Sequence, residues 1–222
     1  MNCPKLNVPN YWVKACKDLS SKDIVMANLI SNNKSKIKSH GDPFTTLVRA
    51  IIGQQISVKA AEGVWKKLHA QHKGKKHPDL LSSFMFVDPE KILKQKDNLY
   101  KIGISGKKAF YITNLAKYFK ENKDFSKSLV KMSEQEITVT LLKFSGIGIW
   151  TINMFLIFCL LRPDIFPEND LGLIRAIKLH YDLKKNENQQ MKILKLSHKW
   201  KPWRTVATWH LWSSIDPETI YY

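Results

Sequence analysis

Apolar residues recur along this chain with the spacing of amphipathic helices, and no alternating stretch is long enough to predict a β-sheet. The first amphipathic stretch covers residues 24–30 and is followed by a polar linker over 31–40. A second helix is predicted over 44–52, between Pro43, which suits a helix start, and Gly53, which ends the pattern. The pattern therefore predicts an all-α fold.

The rest of the chain repeats this arrangement of apolar helices separated by short polar or glycine-containing breaks. Further helices are predicted over residues 58–68, from Pro89, over 109–119, from Ser133 to 144, over 150–161 and over 171–179. Ser133 and Glu136 have the spacing of a capping box, which satisfies backbone N–H groups at a helix start. The helix over 150–161 is apolar on almost every side, which predicts a position at the centre of the fold.

Composition and charge narrow the partners of such a helical protein. Lys and Arg number 36 against 19 Asp and Glu, and the net charge of +17 favours a polyanionic partner. A lysine-rich composition without such a partner is the alternative. The longest apolar stretch, 147–161, is interrupted by Gly148, Thr151 and Asn153, so no membrane partner is expected. The three cysteines are scattered and no secretory signal opens the chain, which predicts a reducing intracellular compartment.

The string Phe144-Ser145-Gly146-Ile147-Gly148 joins two predicted helices and has the pattern of a helix-hairpin-helix turn. Its glycines allow backbone conformations closed to other residues and a close approach of the chain to a phosphate. Backbone N–H groups at the start of the second helix would then bind nucleic acid without reading its sequence. A plain turn between helices is the alternative when these residues are considered alone.

The residues around this string extend the pattern. Ile149-Trp150-Thr151 follows the hairpin directly, and Pro163-Asp164-Ile165-Phe166-Pro167 and Asp170 come later. This combination closely resembles the 3-methyladenine DNA glycosylase II family of the helix-hairpin-helix DNA glycosylase superfamily. Three further matches stand in the family's order: Ile51-Ile52-Gly53-Gln54-Gln55-Ile56-Ser57, then Ile102-Gly103-Ile104-Ser105 with Lys108-Ala109, and Trp200-Lys201-Pro202-Trp203-Arg204-Thr205-Val206-Ala207 with Leu211-Trp212. The matches span roughly residues 40–215.

The resemblance implies a single unit of two α-helical lobes, with the active site in the cleft between them. Residues of about 45–165, with the hairpin at 144–150, would form the central lobe. Residues of about 1–44 and 166–222 would form the other lobe. The additional N-terminal β domain of some family members is not expected here.

Among the acidic residues after the hairpin, Asp170 matches the family's catalytic aspartate. Breaking a purine N-glycosidic bond gives the sugar oxocarbenium character, which a fixed negative charge stabilises while water attacks. Asp170 also stands directly before the predicted helix over 171–179, whose N–H groups would hold its carboxylate, and a plain N-cap is the alternative. Asp164 matches a structural turn of the family motif, and Glu168 is expected to face solvent.

DNA contacts follow from the same resemblance. A base rotated out of the duplex leaves a gap that a side chain should fill, and Gln55 matches the family's wedge position, with Gln54 beside it. A polar turn between helices is the alternative for this pair. Contacts with the DNA backbone are implied for Gly146, Ile147, Gly148 and Thr151. The backbone carbonyls of Phe144 and Ile147 are implied to hold a Na⁺ or K⁺ ion.

The damaged base needs flat apolar walls, because a purine carrying positive charge stacks well on electron-rich rings. Trp150 is the leading candidate for such a wall, followed by Trp203, while Trp209 and Trp212 are expected in the core. Met154 lies where the family often has an aromatic residue in the base pocket. Ser145 likewise stands where the family's hairpin usually has proline.

The resemblance implies a monofunctional enzyme of base excision repair. Lyase chemistry needs an amine nucleophile, and Trp150 occupies the position where bifunctional members carry lysine. The chain has no C-terminal cluster of four cysteines, so no iron–sulfur cofactor is expected. The expected activity is hydrolysis of the N-glycosidic bond of alkylated purines, of the 3-methyladenine and 7-methylguanine type, leaving an abasic site.

The expected enzyme is a monomer that acts on damaged double-stranded DNA in the cytoplasm and nucleoid, or in the nucleus of a eukaryote. Two alternatives stay open at this point. One is a bifunctional glycosylase-lyase for other damaged bases, and the other is a non-catalytic helix-hairpin-helix module that only binds DNA.

Overall fold

The computed structural model describes residues 7–72, 86–183 and 188–216, and these ranges form twelve α-helices. They are α1 (Trp12–Lys22), α2 (Ile24–Asn32), α3 (Pro43–Gly53), α4 (Val58–His72), α5 (Pro89–Lys94), α6 (Gly106–Glu121), α7 (Phe125–Lys131), α8 (Glu134–Leu141), α9 (Ile149–Phe158), α10 (Leu171–His180), α11 (Gln189–Lys199) and α12 (Arg204–Ile215). The described residues contain no strand, and the predicted all-α class is confirmed. None of the helices in these ranges is long and apolar enough to cross a membrane.

The described residues group into two compact units, and the first takes its residues from 39–160. Its centre is α3, which packs against α4, α6, α7 and α9, while α8 packs against α9. Residues 43–52 of α3 are all buried. The one charged side chain of α3, Arg49, pairs with Glu62 at 2.7 Å and lies over the ring of Trp65. This buried helix is the support for the turns that follow α3 and precede α9.

The second unit combines residues 7–38 with residues from 161 onward. Within it, α12 packs against α1, α2 and α10. Asp23 joins the two segments, because its Oδ1 caps α2 by accepting two backbone N–H groups while its Oδ2 serves the later segment. That oxygen accepts from the hydroxyl of Tyr181 at 2.7 Å and from the indole of Trp200 at 3.0 Å. One carboxylate therefore ties the start of α2 to residues 158 and 177 positions later.

Several helix starts confirm the sequence predictions. Pro43 is the first residue of α3 and Pro89 the first residue of α5. Ser133 and Glu136 form the predicted capping box of α8. Asp170 is the N-cap of α10, directly before the predicted start. Because a cap depends on residues within three positions of each other, these signals are readable from a single sequence.

Other helices differ from the sequence predictions. The pattern does not predict α1, α7, α11 or α12, and α1 buries only Trp12, Ala15 and Leu19, which is a narrow apolar face. The predicted helix over 150–161 ends at Phe158 instead. Leu161, the last residue of the predicted range, has a φ of 53°, in the left-handed region, and so cannot belong to the helix.

Candidate functional site

The hairpin between α8 and α9 is fixed by two hydrogen bonds within its own main chain and by the buried side chain of Ile147. The N–H of Phe144 donates to the carbonyl of Leu141, and the N–H of Ile147 donates to the carbonyl of Phe144, both at 3.1 Å. Gly146 has a φ of 81°, and a side-chain carbon there would fall within the ring of Tyr111. Ile147 is buried, so only its main chain can face a phosphate. The glycine at 146 is therefore required by both conformation and space.

Gly148, the second hairpin glycine, stands in a different environment. It is the N-cap of α9, with a φ of −107° that any residue adopts, and no side chain caps this helix. A carbon added at Gly148 would meet nothing within 4 Å. The first N–H groups of a helix have no partner within it, and together with the helix dipole they attract anions. The hairpin therefore presents an open, uncapped helix start that suits a phosphate.

The predicted Na⁺ or K⁺ site depends on the main-chain oxygens of this hairpin. The carbonyl of Phe144 accepts from the N–H of Ile147, and the carbonyl of Gly146 accepts from the side chain of Gln54. Residues 144–148 contain no acidic side chain, so the oxygen donors are neutral. Neutral carbonyls fit a weakly held monovalent cation better than a divalent one, which favours carboxylates. The donor chemistry fits the predicted ion, and its binding stays a prediction.

The turn between α3 and α4 presents Gln55 to solvent. Gln55 is exposed and has a φ of 56°. A left-handed conformation costs a non-glycine residue roughly 1–2 kcal/mol, so neighbouring contacts must hold it. An exposed side chain at the tip of a fixed turn is what filling a gap in a duplex requires, and the wedge role of Gln55 stays a prediction.

Gln54 differs from its predicted place in the wedge. Its Nε2 donates to the carbonyl of Gly146 at 2.8 Å and to Oγ1 of Thr151 at 2.9 Å, so the side chain is committed to the hairpin. Thr151 is buried, and its side chain is turned away from any phosphate outside. Only the backbone N–H of Thr151 is therefore available for its predicted contact with the DNA backbone. Both side chains support the hairpin from within the first unit.

Lys108 on α6 supports the same turn, a role that the sequence pattern does not reveal. Its Nζ donates to the carbonyls of Ile52 at 2.7 Å and Gln54 at 2.8 Å, at the end of α3. The last carbonyls of a helix lack partners within it, so this ammonium satisfies two of them. Burial lowers the pKa of Lys108. The only sequence signal is that Lys108 lies in the matched string, three residues after Ser105.

A cavity of about 260 Å³ opens beside the α3–α4 turn. Its walls come from that turn, from the loop before α6 and from Lys108, so it lies wholly within the first unit. Neither Trp150 nor Met154 lines it, and it is therefore not the predicted base pocket. Trp150 is half-buried, whereas Met154 is 2% exposed, which is the burial of a core side chain. The pocket roles of both residues stay predictions.

Asp170 lies in the second unit, where the backbone around it holds its carboxylate in place. Its Oδ1 accepts the N–H of Leu173 at 2.7 Å, and its own carbonyl accepts the N–H of Ile174 at 2.9 Å. Its N–H donates to the carbonyl of Pro167 at 2.9 Å. The predicted N-cap is confirmed, and the carboxylate is only half-buried. A partly exposed, fixed negative charge is what the predicted catalytic role needs.

Trp212 holds the same carboxylate oxygen, since its indole Nε1 donates to Oδ1 of Asp170 at 2.9 Å. Gly172 leaves room for this bond, because a side-chain carbon there would stand 3.3 Å from Oδ1. Trp212 is half-buried, so the expectation that it lies in the core is wrong, whereas Trp209 is 3% exposed as expected. The Leu211-Trp212 match is the only sequence signal for this contact.

The neighbouring acids behave as the sequence predicts. Asp164 forms a two-point ion pair with Arg204, at 2.7 Å to Nε and 2.9 Å to Nη2, and so serves the structure of its turn. Glu168 is exposed. Trp203, a secondary candidate for the base pocket, donates to Asp18 at 2.9 Å and stacks on Tyr11 within the second unit.

A helical fold with a hairpin and an aspartate at a helix start is consistent with one known family. Residues 48–202 match the model of the HhH-GPD superfamily of base excision DNA repair proteins. The chain belongs to this family. The predicted catalytic, wedge and hairpin residues of this HhH-GPD protein, and the base-pocket candidates Trp150 and Met154, lie inside the matched range, whereas Trp203 and Trp212 lie beyond it.

Individual relatives agree with this membership. The DNA-3-methyladenine glycosylase of Bacillus subtilis (strain 168) is 31% identical over 178 residues, which cover 77% of this chain but only 56% of that protein. The alkylbase DNA glycosidase-like protein mag2 of Schizosaccharomyces pombe is 31% identical over 206 residues, covering 90% of this chain and 92% of that protein. The structure of Schizosaccharomyces pombe 3-methyladenine DNA glycosylase (Mag1) with abasic DNA superposes with a TM-score of 0.73 at 26% identity, over 93% of this chain and 100% of that chain.

Proposed function

We propose that this HhH-GPD protein is a monofunctional DNA glycosylase that hydrolyses the N-glycosidic bond of alkylated purines and leaves an abasic site. The observation that carries the proposal is the carboxylate of Asp170, held at the start of α10 by the N–H of Leu173 and the indole of Trp212. The names of the relatives, a DNA-3-methyladenine glycosylase and an alkylbase DNA glycosidase-like protein, support 3-methyladenine and alkylated bases as substrates, and the proposal extends to purines of the 7-methylguanine type.

Asp170 acts by electrostatics in this mechanism. As the glycosidic bond lengthens, the sugar gains oxocarbenium character, and a fixed carboxylate beside it lowers the energy of that state. The base departs with the electrons of the glycosidic bond, so a cationic purine leaves neutral, and water bonds to the sugar carbon and releases one proton to solvent. An alkylated purine carries positive charge and leaves readily, so its recognition needs an electron-rich ring, for which Trp150 is the proposed residue, rather than a strong acid.

The partner in this proposal is double-stranded DNA, whose phosphates are bound by the N–H groups at the uncapped start of α9. The net charge of +17 supports a polyanionic partner. We expect the logarithm of the binding constant for undamaged duplex to fall linearly with the logarithm of salt concentration, with a slope of about −0.9 for each phosphate contact. A slope near zero in anisotropy titrations would show that the positive charge does not serve DNA binding.

The proposed enzyme is a monomer and works where the DNA lies, in the cytoplasm and nucleoid or in a nucleus. Light scattering of the purified protein, alone and with a short duplex, should give the mass of one chain and of one chain per duplex. A dimer mass for the free protein would replace this part of the proposal.

The absence of lyase activity is also part of the proposal, since Trp150 stands where a bifunctional member would need lysine. Lys108 has its Nζ bonded to two carbonyls at the end of α3, and Lys143 directly precedes the hairpin in the sequence. Borohydride traps only a Schiff base, so we expect no covalent adduct with DNA. An efficient adduct would favour the bifunctional alternative, and Lys143→Ala and Lys108→Ala would then identify the amine.

A panel of single-lesion duplexes tests the proposed activity directly. Each duplex carries 3-methyladenine, 7-methylguanine, ethenoadenine, hypoxanthine or 1-methyladenine, and strand breaks are scored with and without alkali. We expect breaks with alkylated purines only after alkali, because the product is an intact abasic site. No breaks with any lesion, alongside salt-dependent binding, would favour the non-catalytic DNA-binding module instead.

A further inference from the structure

Gln54 connects the turn that presents Gln55 to the hairpin that presents Gly148. Its Nε2 bonds to the carbonyl of Gly146 at 2.8 Å and to Oγ1 of Thr151 at 2.9 Å, and these acceptors lie on either side of Gly148 in the sequence. The acceptors are 92 and 97 residues away from Gln54, so the contact joins two separate elements of the first unit.

Lys108 holds the other side of the same turn. Its Nζ bonds to the carbonyls of Ile52 and Gln54, so the main chain of Gln54 is fixed from α6 while its side chain is fixed by the hairpin. The next residue, Gln55, has a φ of 56°. Because the residue before it is anchored at both ends, Gln55 has little freedom to change its direction relative to the hairpin.

The bonding needs of these groups explain why position 54 holds an amide. The NH₂ group of Gln carries two donors, so one side chain serves both the Gly146 carbonyl and the Thr151 hydroxyl. Thr151 is 1% exposed, so water is a poor substitute there. Leucine offers no donor, and glutamate offers only acceptors at neutral pH.

We propose that Gln54 is a positioning residue that keeps the exposed Gln55 in a fixed register with the phosphate-binding face of the hairpin. Binding of the DNA backbone at Gly148 and insertion of Gln55 into the duplex then occur as one coupled step. This inference rests on the DNA-binding part of the proposed function, because it takes Gln55 as the wedge and Gly148 as a backbone contact.

A triple-mutant comparison of DNA affinity tests the coupling. The ligand is a duplex with a central tetrahydrofuran abasic-site analogue, and the dissociation constant is measured by fluorescence anisotropy at fixed salt. Gln55→Ala removes the wedge, and Gly148→Val obstructs a phosphate while the fold has space for the new side chain. The two changes are made singly and together, first in the wild-type chain and then with Gln54→Leu.

In the wild-type chain, we expect the double variant to lose less affinity than the product of the two single losses, by roughly fivefold or more. With Gln54→Leu, we expect the two losses to multiply, because the elements no longer act together. Losses that multiply in the wild-type chain overturn the proposal. A coupling that persists in the folded Gln54→Leu chain overturns it as well.

Two further variants keep the test decisive. Thr151→Val removes one of the two acceptors while keeping the shape of the side chain, so it should weaken the coupling. If Gln54→Leu does not fold, unchanged coupling in Thr151→Val overturns the proposal and reduced coupling supports it. Gln190→Leu, the same chemical change at an exposed position of α11, is the matched control and should leave the coupling intact.

This experiment separates the inference from glycosylase activity, because the abasic analogue is bound without excision. A chain that shows Gln54-dependent coupling but excises no base refutes the proposed activity and leaves the inference standing. A chain that excises alkylated purines without coupling refutes the inference alone.

Discussion

The helices α9 and α10 begin in opposite ways, although the first residue of each is an exposed aliphatic, Ile149 and Leu171. The N-cap of α9 is Gly148, and no side chain caps the helix. The N-cap of α10 is Asp170, whose carboxylate accepts the N–H of Leu173. The residue directly before each helix therefore determines its start. Gly148 leaves the first N–H groups of α9 uncapped, which we call an open start, and Asp170 caps α10, which we call a closed start.

The difference shows how a single backbone feature serves two purposes. An uncapped helix start leaves N–H groups for an anion that arrives from outside, such as a phosphodiester. A start capped by aspartate supplies its own anion and holds it at a fixed place, where it can face a cationic sugar. Binding and chemistry in the proposed enzyme thus differ by the choice of N-cap residue.

Removing the negative charge of Asp170, at the closed start of α10, should have the largest effect, a loss of excision rate. Asp170→Asn keeps the cap, because Asn caps a helix about as well as Asp, but it removes the negative charge. We expect excision of an alkylated purine to fall by roughly 10²–10³-fold, the range for losing one preorganised electrostatic group. Single-turnover rates on a lesion duplex measure the loss, and the melting temperature checks the fold.

The matched control for this prediction is Glu168→Gln, which removes a negative charge from an exposed acid two residues away. Its excision rate should equal that of the wild-type chain. An Asp170→Asn rate within a fewfold of wild type would remove Asp170 from the mechanism.

Adding an aspartate N-cap to the open start of α9 should have the next largest effect, a loss of affinity for duplex DNA. Gly148→Asp gives α9 the same N-cap residue as α10, and the structure has space for the side chain. Two like charges about 4 Å apart repel by about 1 kcal/mol in bulk water and about 4 kcal/mol near a protein surface, so at this exposed position between those limits we expect duplex affinity to fall by roughly ten- to a hundredfold. Stability should rise by a few tenths of a kcal/mol, because aspartate caps better than glycine.

Anisotropy titrations and chemical denaturation measure these two opposite changes in the same protein. Gly148→Asn is the matched control, since it also caps the helix but brings no charge. Equal affinities for the aspartate variant and the wild-type chain would show that α9 does not bind the DNA backbone.

Removing the hydrogen bond from Trp212 to Asp170 should have the smallest effect of the three, a modest loss of excision rate. Trp212→Phe keeps an aromatic ring but removes the indole N–H that bonds to Oδ1 of Asp170. A hydrogen bond to a charged group contributes about 1.5–3 kcal/mol, and because the backbone N–H of Leu173 still holds Asp170 we expect the lower end of this range, a slowing of excision by about tenfold. Affinity for the abasic analogue should not change, because a positioning residue acts on the chemical step.

Trp209→Phe is the control for this prediction, since the indole of Trp209 bonds to Ser35 in the core of the second unit. It should lower the melting temperature and leave the excision rate of the folded protein unchanged. Equal rates for Trp212→Phe and the wild-type chain would show that the bond from Trp212 does not position Asp170 for the reaction.

The sequence predicts the capping of α10 by Asp170, but it does not predict the hydrogen bonds by which Trp212 and Gln54 support Asp170 and the hairpin. The cap of Asp170 on Leu173 spans three positions, so the residues alone indicate it. The bond from Trp212 spans 42 positions, and those from Gln54 span 92 and 97. Such contacts depend on how distant helices pack, and a single sequence does not determine that.

The missed helices have a related cause. Helix α12 buries Thr205, Thr208 and His210 together with its apolar residues, so its polar positions do not mark a solvent face. Thr205, for example, bonds to the carbonyl of Arg162 and to the N–H of Ile165. Polar residues with partners inside a core break the apolar periodicity that predicts a helix.

The discontinuous second unit has a consequence for biosynthesis. Its two segments meet through long-range contacts such as Tyr11 with Leu161 and Asp18 with Trp203, which are 150 and 185 residues apart. A chain made from its N-terminus therefore completes the hairpin unit, residues 39–160, while α1 and α2 still await their partners. The carboxylate of Asp170 receives its bond from Trp212 only when α12, the last described helix, has been made. Translation thus produces the proposed DNA-binding hairpin first and completes the surroundings of the proposed catalytic aspartate last.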